Sequence, residues 1–144
     1  MTLGKNIVIA TDFSELGQRA VKIGFELAAR LDGKVHLVHV FTLQGAPESG
    51  ALTSEALRDA ELLAAGKLRV VADAYRDSGR LGEVKTRHGD PAPMILLTAE
   101  ELSADIIVLG THGRRGLPRL LLGSTAESVL RLATCTVVII KQPE

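Results

Sequence analysis

Asp105–Thr125, DIIVLGTHGRRGLPRLLLGST, begins as a short β-branched run, opens into glycines and closes on Gly123-Ser124-Thr125. An apolar run this short bounded by turn residues reads as a buried strand, here Asp105 to Leu109. The residues after Gly123 read as a helix through Ala133, with Ser124-Thr-Ala-Glu127 matching a capping box. The same strand–turn–helix unit recurs on the N-terminal side. Lys5–Thr11 (KNIVIAT) predicts a strand, Asp12-Phe-Ser14 a turn, and Glu15–Leu31 a helix with Leu16, Ala20, Ile23, Leu27 and Leu31 on its inner face. Asp32-Gly33 stops it, and Lys34–Phe41 (KVHLVHVF) is a second strand.

After a loop over Thr42–Leu52, a second helix is predicted from Thr53 to Ser78, on the stripe Leu57, Ala60, Ala64, Leu68, Val71 and Tyr75, with Gly79 at its end. Leu81–His88 is polar for a strand and reads as an edge. Asp90-Pro91 starts a third helix, with Asp as cap and Pro at the first helical position, and with Ile95, Leu96, Ala99 and Leu102 facing inward. Thr136–Lys141 (TVVIIK) closes the chain as a fifth strand.

Strict alternation of strand and helix implies a parallel sheet with helices on both faces. Right-handed crossovers leave a doubly wound five-stranded α/β sheet of order 3-2-1-4-5 as the leading topology, in one domain spanning 1–144. In such sheets ligands bind beyond the carboxyl ends of the strands where the order reverses, here between strands one and four. Asp12 leaves strand one there, and the glycine-rich loop leaves strand four.

Composition narrows the partners. Among 144 residues, 17 Lys and Arg balance 17 Asp and Glu, so no net field draws the chain to nucleic acid or an anionic membrane. Aromatics are too scarce for a base-stacking platform. Arg114, Arg115 and Arg119 bunch beside the glycines, either as a solvated face or to steer a polyphosphate. The single Cys135 excludes an internal disulfide and suggests a reducing compartment, as a buried thiol rather than a nucleophile. No apolar run reaches membrane-spanning length and the N-terminus lacks a signal-peptide pattern, so a cytoplasmic protein is expected.

A phosphate loop needs backbone N–H groups turned toward an anion and a helix N-terminus behind it. Gly110, Gly113 and Gly116 free the backbone after strand four, Gly123 allows close approach, and Ser124 and Thr125 add hydroxyls. The competing reading is a surface loop whose glycines only turn the chain, with Ser124 a plain cap. Asp12 has its own alternative as the cap of the first helix, in competition with Ser14. His36 and His39 resemble a metal pair, yet three-residue spacing on a strand sends them to opposite faces. His88 has no visible partner. Gly-x-Gly-x-x-Gly after strand one and the Gly-Lys-[Ser/Thr] ending are both absent, which excludes the ordinary dinucleotide and P-loop fingerprints.

The spacing Gly110-x2-Gly113-x9-Gly123-Ser124 resembles the nucleotide loop of the ATP-binding branch of the universal stress protein family. Ile9-Ala-Thr11-Asp12-Phe-Ser14, Gly89-Asp90-Pro91-Ala92 and Cys135-Thr136-Val137 are similar to other parts of that family, so the likeness covers essentially the whole chain. Ala10 and Thr136 stand where the family commonly has proline. The resemblance implies ATP, ADP or AMP as ligand. Thr11 and Asp12 would face the ribose and adenine, Asp12 with indirect help from Mg2+ or Mn2+. Val40 would offer backbone groups to the adenine edge. Leu109, Gly110, His112 and Gly113 would line the ribose–phosphate path, and Gly123, Ser124 and Thr125 would hold the phosphates. It also implies a homodimer through Thr136–Lys141 and a sensor or regulator in stress response. A slow ATP hydrolase or phosphotransferase, and a nucleotide-free interaction module, are the alternatives; no catalytic residue is assignable from the sequence.

Overall fold

The computed structural model describes residues 5–43, 54–111 and 122–142. Its elements follow in the order β1 (Asn6–Ala10), α1 (Glu15–Leu31), β2 (Lys34–Phe41), α2 (Ser54–Asp73), a 3-10 turn (Arg76–Ser78), β3 (Leu81–His88), α3 (Pro91–Glu101), β4 (Ile106–Gly110), α4 (Ser124–Leu132) and β5 (Thr136–Ile140). The strands form one parallel sheet in the order β3-β2-β1-β4-β5, as the alternation predicts.

The central strand shows why the chain folds this way. Ile7, Val8 and Ile9 are all fully buried, with Ile7 and Ile9 in one cluster and Val8 in the other. The first cluster joins the sheet to α1 and α2 through Leu16, Ala20, Val21, Phe25, Leu68 and Ala72. The second joins it to α3 and α4 through Ala92, Ile95, Ala99, Ala126 and Val129. Burying each branched side chain contributes about 1.5–3 kcal/mol, so a β-branched strand covered on both faces is a favourable centre for a small α/β domain.

Several local expectations need correction. The deepest face of α1 is Leu16, Ala20, Val21, Gly24, Phe25 and Ala28, while Ile23, Leu27 and Leu31 lie at its flanks. Small residues at four-residue spacing let the helix come close to β1, and close approach outweighs side-chain size. The first helix stops at Asp32-Gly33 as expected, with Asp32 left-handed at φ 55°. The second helix stops at Asp73 instead of Ser78. Tyr75 leaves the helix to lay its ring parallel on Phe25, with centroids 4.1 Å apart. On α2 only Ala64, Leu68 and Ala72 are buried; Leu57, Ala60 and Val71 are partly so, as is Tyr75 beyond its end. Asp90 is the N-cap of α3 and Pro91 its first residue, as expected, although the Asp90 side chain makes no capping bond. Strand four extends to Gly110, and strand five ends at Ile140. His88 meets the Phe41 ring, with centroids 5.5 Å apart. No helix among the described residues is long and apolar enough to cross a membrane.

Candidate functional site

Parallel pairing of β1 with both β2 and β4 sends three chain exits to the same end of the sheet. Thr11 continues the ladder for one more step, its N–H bonding the Val38 carbonyl at 3.0 Å. The chain then turns sharply through Phe13, which adopts φ 65°, a left-handed conformation uncommon for a bulky residue.

The turn is tied by several hydrogen bonds. Thr11 is buried, and its Oγ1 accepts from the Phe13 N–H at 3.2 Å. One Asp12 oxygen, Oδ1, accepts from the Ser14 N–H at 3.0 Å and from the Ser14 hydroxyl. Ser14 is the N-cap of α1, taking the Gly17 N–H at 3.1 Å. The capping alternative for Asp12 is therefore settled for Ser14. Asp12 is exposed and its Oδ2 has no protein partner among the described residues. Gly17 lies directly under the turn: a Cβ there would sit 2.6 Å from Asp12 Oδ1 and 2.7 Å from Thr11 Oγ1.

His39 reaches the turn from β2. Its Nδ1 is 2.8 Å from the Thr11 carbonyl, and its ring centroid is 4.2 Å from that of Phe13. Since a carbonyl only accepts, Nδ1 carries the proton. Burial holds the imidazole below its usual range, against the Thr11 carbonyl and the Asp12 carboxylate, which favour the charged form; Lys67 opposes it. His36 belongs to the other face, as the spacing predicts. Its Nδ1 accepts the Glu83 N–H at 2.9 Å, and Nε2 lies 3.5 Å from Asn6 Oδ1. Burial lowers its pKa first, with Glu83 raising it and Lys34 and Lys85 lowering it further.

On the β4 side, Leu109 is buried in the core, so only its backbone is open to a ligand. Thr111, also buried, fastens the base of the glycine-rich loop. Its N–H bonds the Ile140 carbonyl at 2.9 Å, and its carbonyl accepts the Gly123 N–H at 2.7 Å. The two ends of the loop thus meet. His112 and Gly113, together with the arginines at 114, 115 and 119, lie outside the described residues.

The capping-box expectation is displaced by one residue. Gly123, with φ −66° and ψ 160°, is the N-cap of α4, and Ser124 is the first helical residue. The first helical bond runs from the Glu127 N–H to the Gly123 carbonyl at 3.0 Å. That leaves the N–H groups of Ser124, Thr125 and Ala126 without acceptors among the described residues, and leaves the Ser124 hydroxyl free of capping. Three open donors and the positive end of the helix dipole suit an anion. Val40, half-buried near the end of β2, also lies at this end of the sheet. Gly110 ends β4 beside Ile140.

The sequence reading missed Thr111, Gly17 and the anchoring contact of His39. A threonine immediately after a strand and a helical glycine three residues after a cap carry no motif of their own.

A model of the universal stress protein family matches residues 4–141. The chain belongs to this family. A universal stress protein of Methanocaldococcus jannaschii is 36% identical over 147 residues, covering 99% of this chain and 85% of that protein. Among solved structures, the hypothetical protein MJ0577 superposes with a TM-score of 0.83 at 28% identity, with 97% of each chain covered. A universal stress protein of Archaeoglobus fulgidus, solved in complex with dAMP, gives a TM-score of 0.67 at 25% identity over 96% of this chain and 99% of that one. Each of these likenesses covers at least 96% of this chain.

Proposed function

We propose that this universal stress protein domain binds an adenine nucleotide, with ATP the expected form, at the carboxyl end of β1 and β4, and acts as a sensor or accessory regulator in stress response. The observation that carries the reading is the Thr111–Gly123 hydrogen bond. It ties the start of α4, with three N–H groups open among the described residues, to the exit of β4 beside the Thr11–Asp12 turn. An anion held there has the helix N-terminus on one side and a sugar-binding carboxylate on the other. In this reading Ser124 and Thr125 hold phosphate, Asp12 Oδ2 takes ribose hydroxyls, and the backbone of Val40 meets the adenine edge. His112 and Gly113 complete the phosphate path. The dAMP bound by the A. fulgidus protein supports an adenine nucleotide as the ligand class.

A divalent cation fits only as a companion of the nucleotide. The described residues hold no group of three His, Cys, Asp or Glu side chains arranged for a metal. The free Asp12 oxygen goes to the ribose in this reading, so phosphate and water would supply the ligands of Mg2+ or Mn2+, with Asp12 reaching the ion only indirectly. The dimer reading rests on β5, whose outer side is a sheet edge unpaired among the described residues and with no charge along the strand.

Mass spectrometry of ligand released from purified protein, followed by calorimetric titration with Mg-ATP, tests the site. Gly123→Val should weaken binding at least about tenfold, since crowding one phosphate contact costs roughly 1.5–3 kcal/mol. If no adenine nucleotide co-purifies and none binds on titration, the assignment is wrong. ADP release at ordinary enzyme rates, abolished by Asp12→Ala, would replace the sensor reading with a hydrolase.

A further inference from the structure

We infer that His39 is a positioning residue for the nucleotide site: it clamps the Thr11–Phe13 turn from outside and so fixes where Asp12 presents its free oxygen. The inference rests on the nucleotide reading of the crevice.

The turn holds a strained residue whose ring also packs on the first core cluster, while its other hydrogen bonds are local. The Thr11–Phe13, Asp12–Ser14 and Ser14–Gly17 bonds join residues two or three positions apart and move together if the segment tilts. Two contacts instead fasten it to another strand. One is the ladder bond from the Thr11 N–H to Val38, which precedes the turn. The other is the His39 side chain, which grips the turn itself. Its Nδ1–H donates to the Thr11 carbonyl at 2.8 Å, the peptide that leads into Asp12. Its ring packs against Phe13 at 4.2 Å, just after Asp12 and at the position where φ is 65°. Asp12 is thus bracketed by two contacts with one imidazole. A left-handed Phe is held only where its surroundings over-determine it, and the His39 ring is part of that surrounding. Lys67 and Asp12 are the charged groups that face the ring, and burial favours its neutral form, in which the single N–H is committed to Thr11.

The geometry separates the hydrogen bond from the bulk of the ring. In His39→Asn the new amide carries an N–H close to the position of Nδ1. In His39→Gln the amide N–H falls nearer Nε2, which does not face the Thr11 carbonyl. The side chain of His39→Leu fills space and donates nothing. The assay is calorimetric titration with Mg-ATP on wild type, these three variants, Asp12→Asn, and the double variants with Asp12→Asn. Asp12→Asn keeps an acceptor for Ser14 and alters the ligand-facing atom.

His39→Leu and His39→Gln should each weaken binding about tenfold, the equivalent of one misdirected hydrogen bond to a charged group, while His39→Asn stays within about threefold of wild type. In the Asp12→Asn background the same His39 changes should cost less than about twofold, because contacts that act through one group are not additive. Circular dichroism and thermal melts check that each variant is folded; if the leucine variant is not, the contrast between the asparagine and glutamine variants alone decides. Equal losses for His39→Asn and His39→Gln, or losses that multiply with that of Asp12→Asn, would overturn the positioning role while leaving the nucleotide site intact. Absence of binding to wild type would instead remove the nucleotide reading, and this inference with it.

Discussion

Ser124→Ala separates two roles that the sequence leaves entangled. A serine that caps a helix loses about 0.5–2 kcal/mol of stability on replacement by alanine. In a chain of this size each kcal/mol lowers the melting temperature by roughly 3–5 °C. In the structure Gly123 occupies the cap, and the exposed Ser124 side chain makes no capping bond. Alanine is also the best helix former, so at the first helical position the exchange should change stability by less than about 0.5 kcal/mol. The ligand role predicts the opposite balance. A hydroxyl donating to a phosphate oxygen contributes about 1.5–3 kcal/mol, a factor of roughly 10–150 in affinity. Differential scanning calorimetry without nucleotide, paired with titration by Mg-ATP and by adenosine, reads both quantities. The expected result is an unchanged melt, much weaker ATP binding and unchanged adenosine binding. A melt lowered by several degrees with ATP affinity intact would refute the reasoning, because Ser124 would then be a cap and the anion would lie elsewhere.

Other outcomes follow from named contacts. Gly82→Ala would bring a Cβ to 2.5 Å from His36 Nδ1, the atom that accepts the Glu83 N–H. Overpacking plus the lost hydrogen bond should cost about 2–4 kcal/mol in urea unfolding, and His36→Ala should recover much of it; a neutral Gly82→Ala would contradict that packing. Burial lowers the pKa of both His36 and His39 below the ordinary 6.5. Well above 6.5 both are neutral in the folded and unfolded chains, and as pH falls through 6.5 the unfolded chain binds protons that the folded one resists. The urea midpoint should therefore drop between pH 7.5 and 5.5, and drop less in His36→Gln; a flat profile would count against the burial argument. Cys135 is partly buried and its thiol is pushed up, first by burial. It should react with a disulfide reagent more slowly than glutathione at pH 7.5, and faster reaction would mark it as an activated thiol.

The fold was legible because its signal is local and repeated. Runs such as NIVIA and DIIVL lie between helix-period segments, and right-handed crossovers allow few arrangements of five such units. What could not be read was any choice made by a distant partner. The small seam Ala20, Gly24 and Ala28 is chosen over Ile23 and Leu27 because β1 must come close. The second helix ends at Asp73, and just beyond it Tyr75 stacks on Phe25, fifty positions earlier, a partner that the local pattern does not name. One residue of shift moved the α4 cap from Ser124 to Gly123, a difference that the local pattern of hydroxyl and carboxylate does not encode.

The candidate site divides along the same line. Glycines, Asp12 and the hydroxyls after Gly123 announce themselves by type and spacing, since a ligand's chemistry demands those groups. Thr111 and His39 do not, because they serve the backbone: one joins β5 to α4 through a single residue, and the other joins β2 to the β1 turn. A phosphate-binding loop holds its ligand weakly if its ends drift, and a carboxylate on a turn discriminates poorly if the turn rocks. Fixing both to the sheet removes that ordering cost before a ligand arrives. In the nucleotide reading the residues proposed to touch the ligand are therefore the readable half of this site. The two anchors, Thr111 and His39, are revealed only by the tertiary structure.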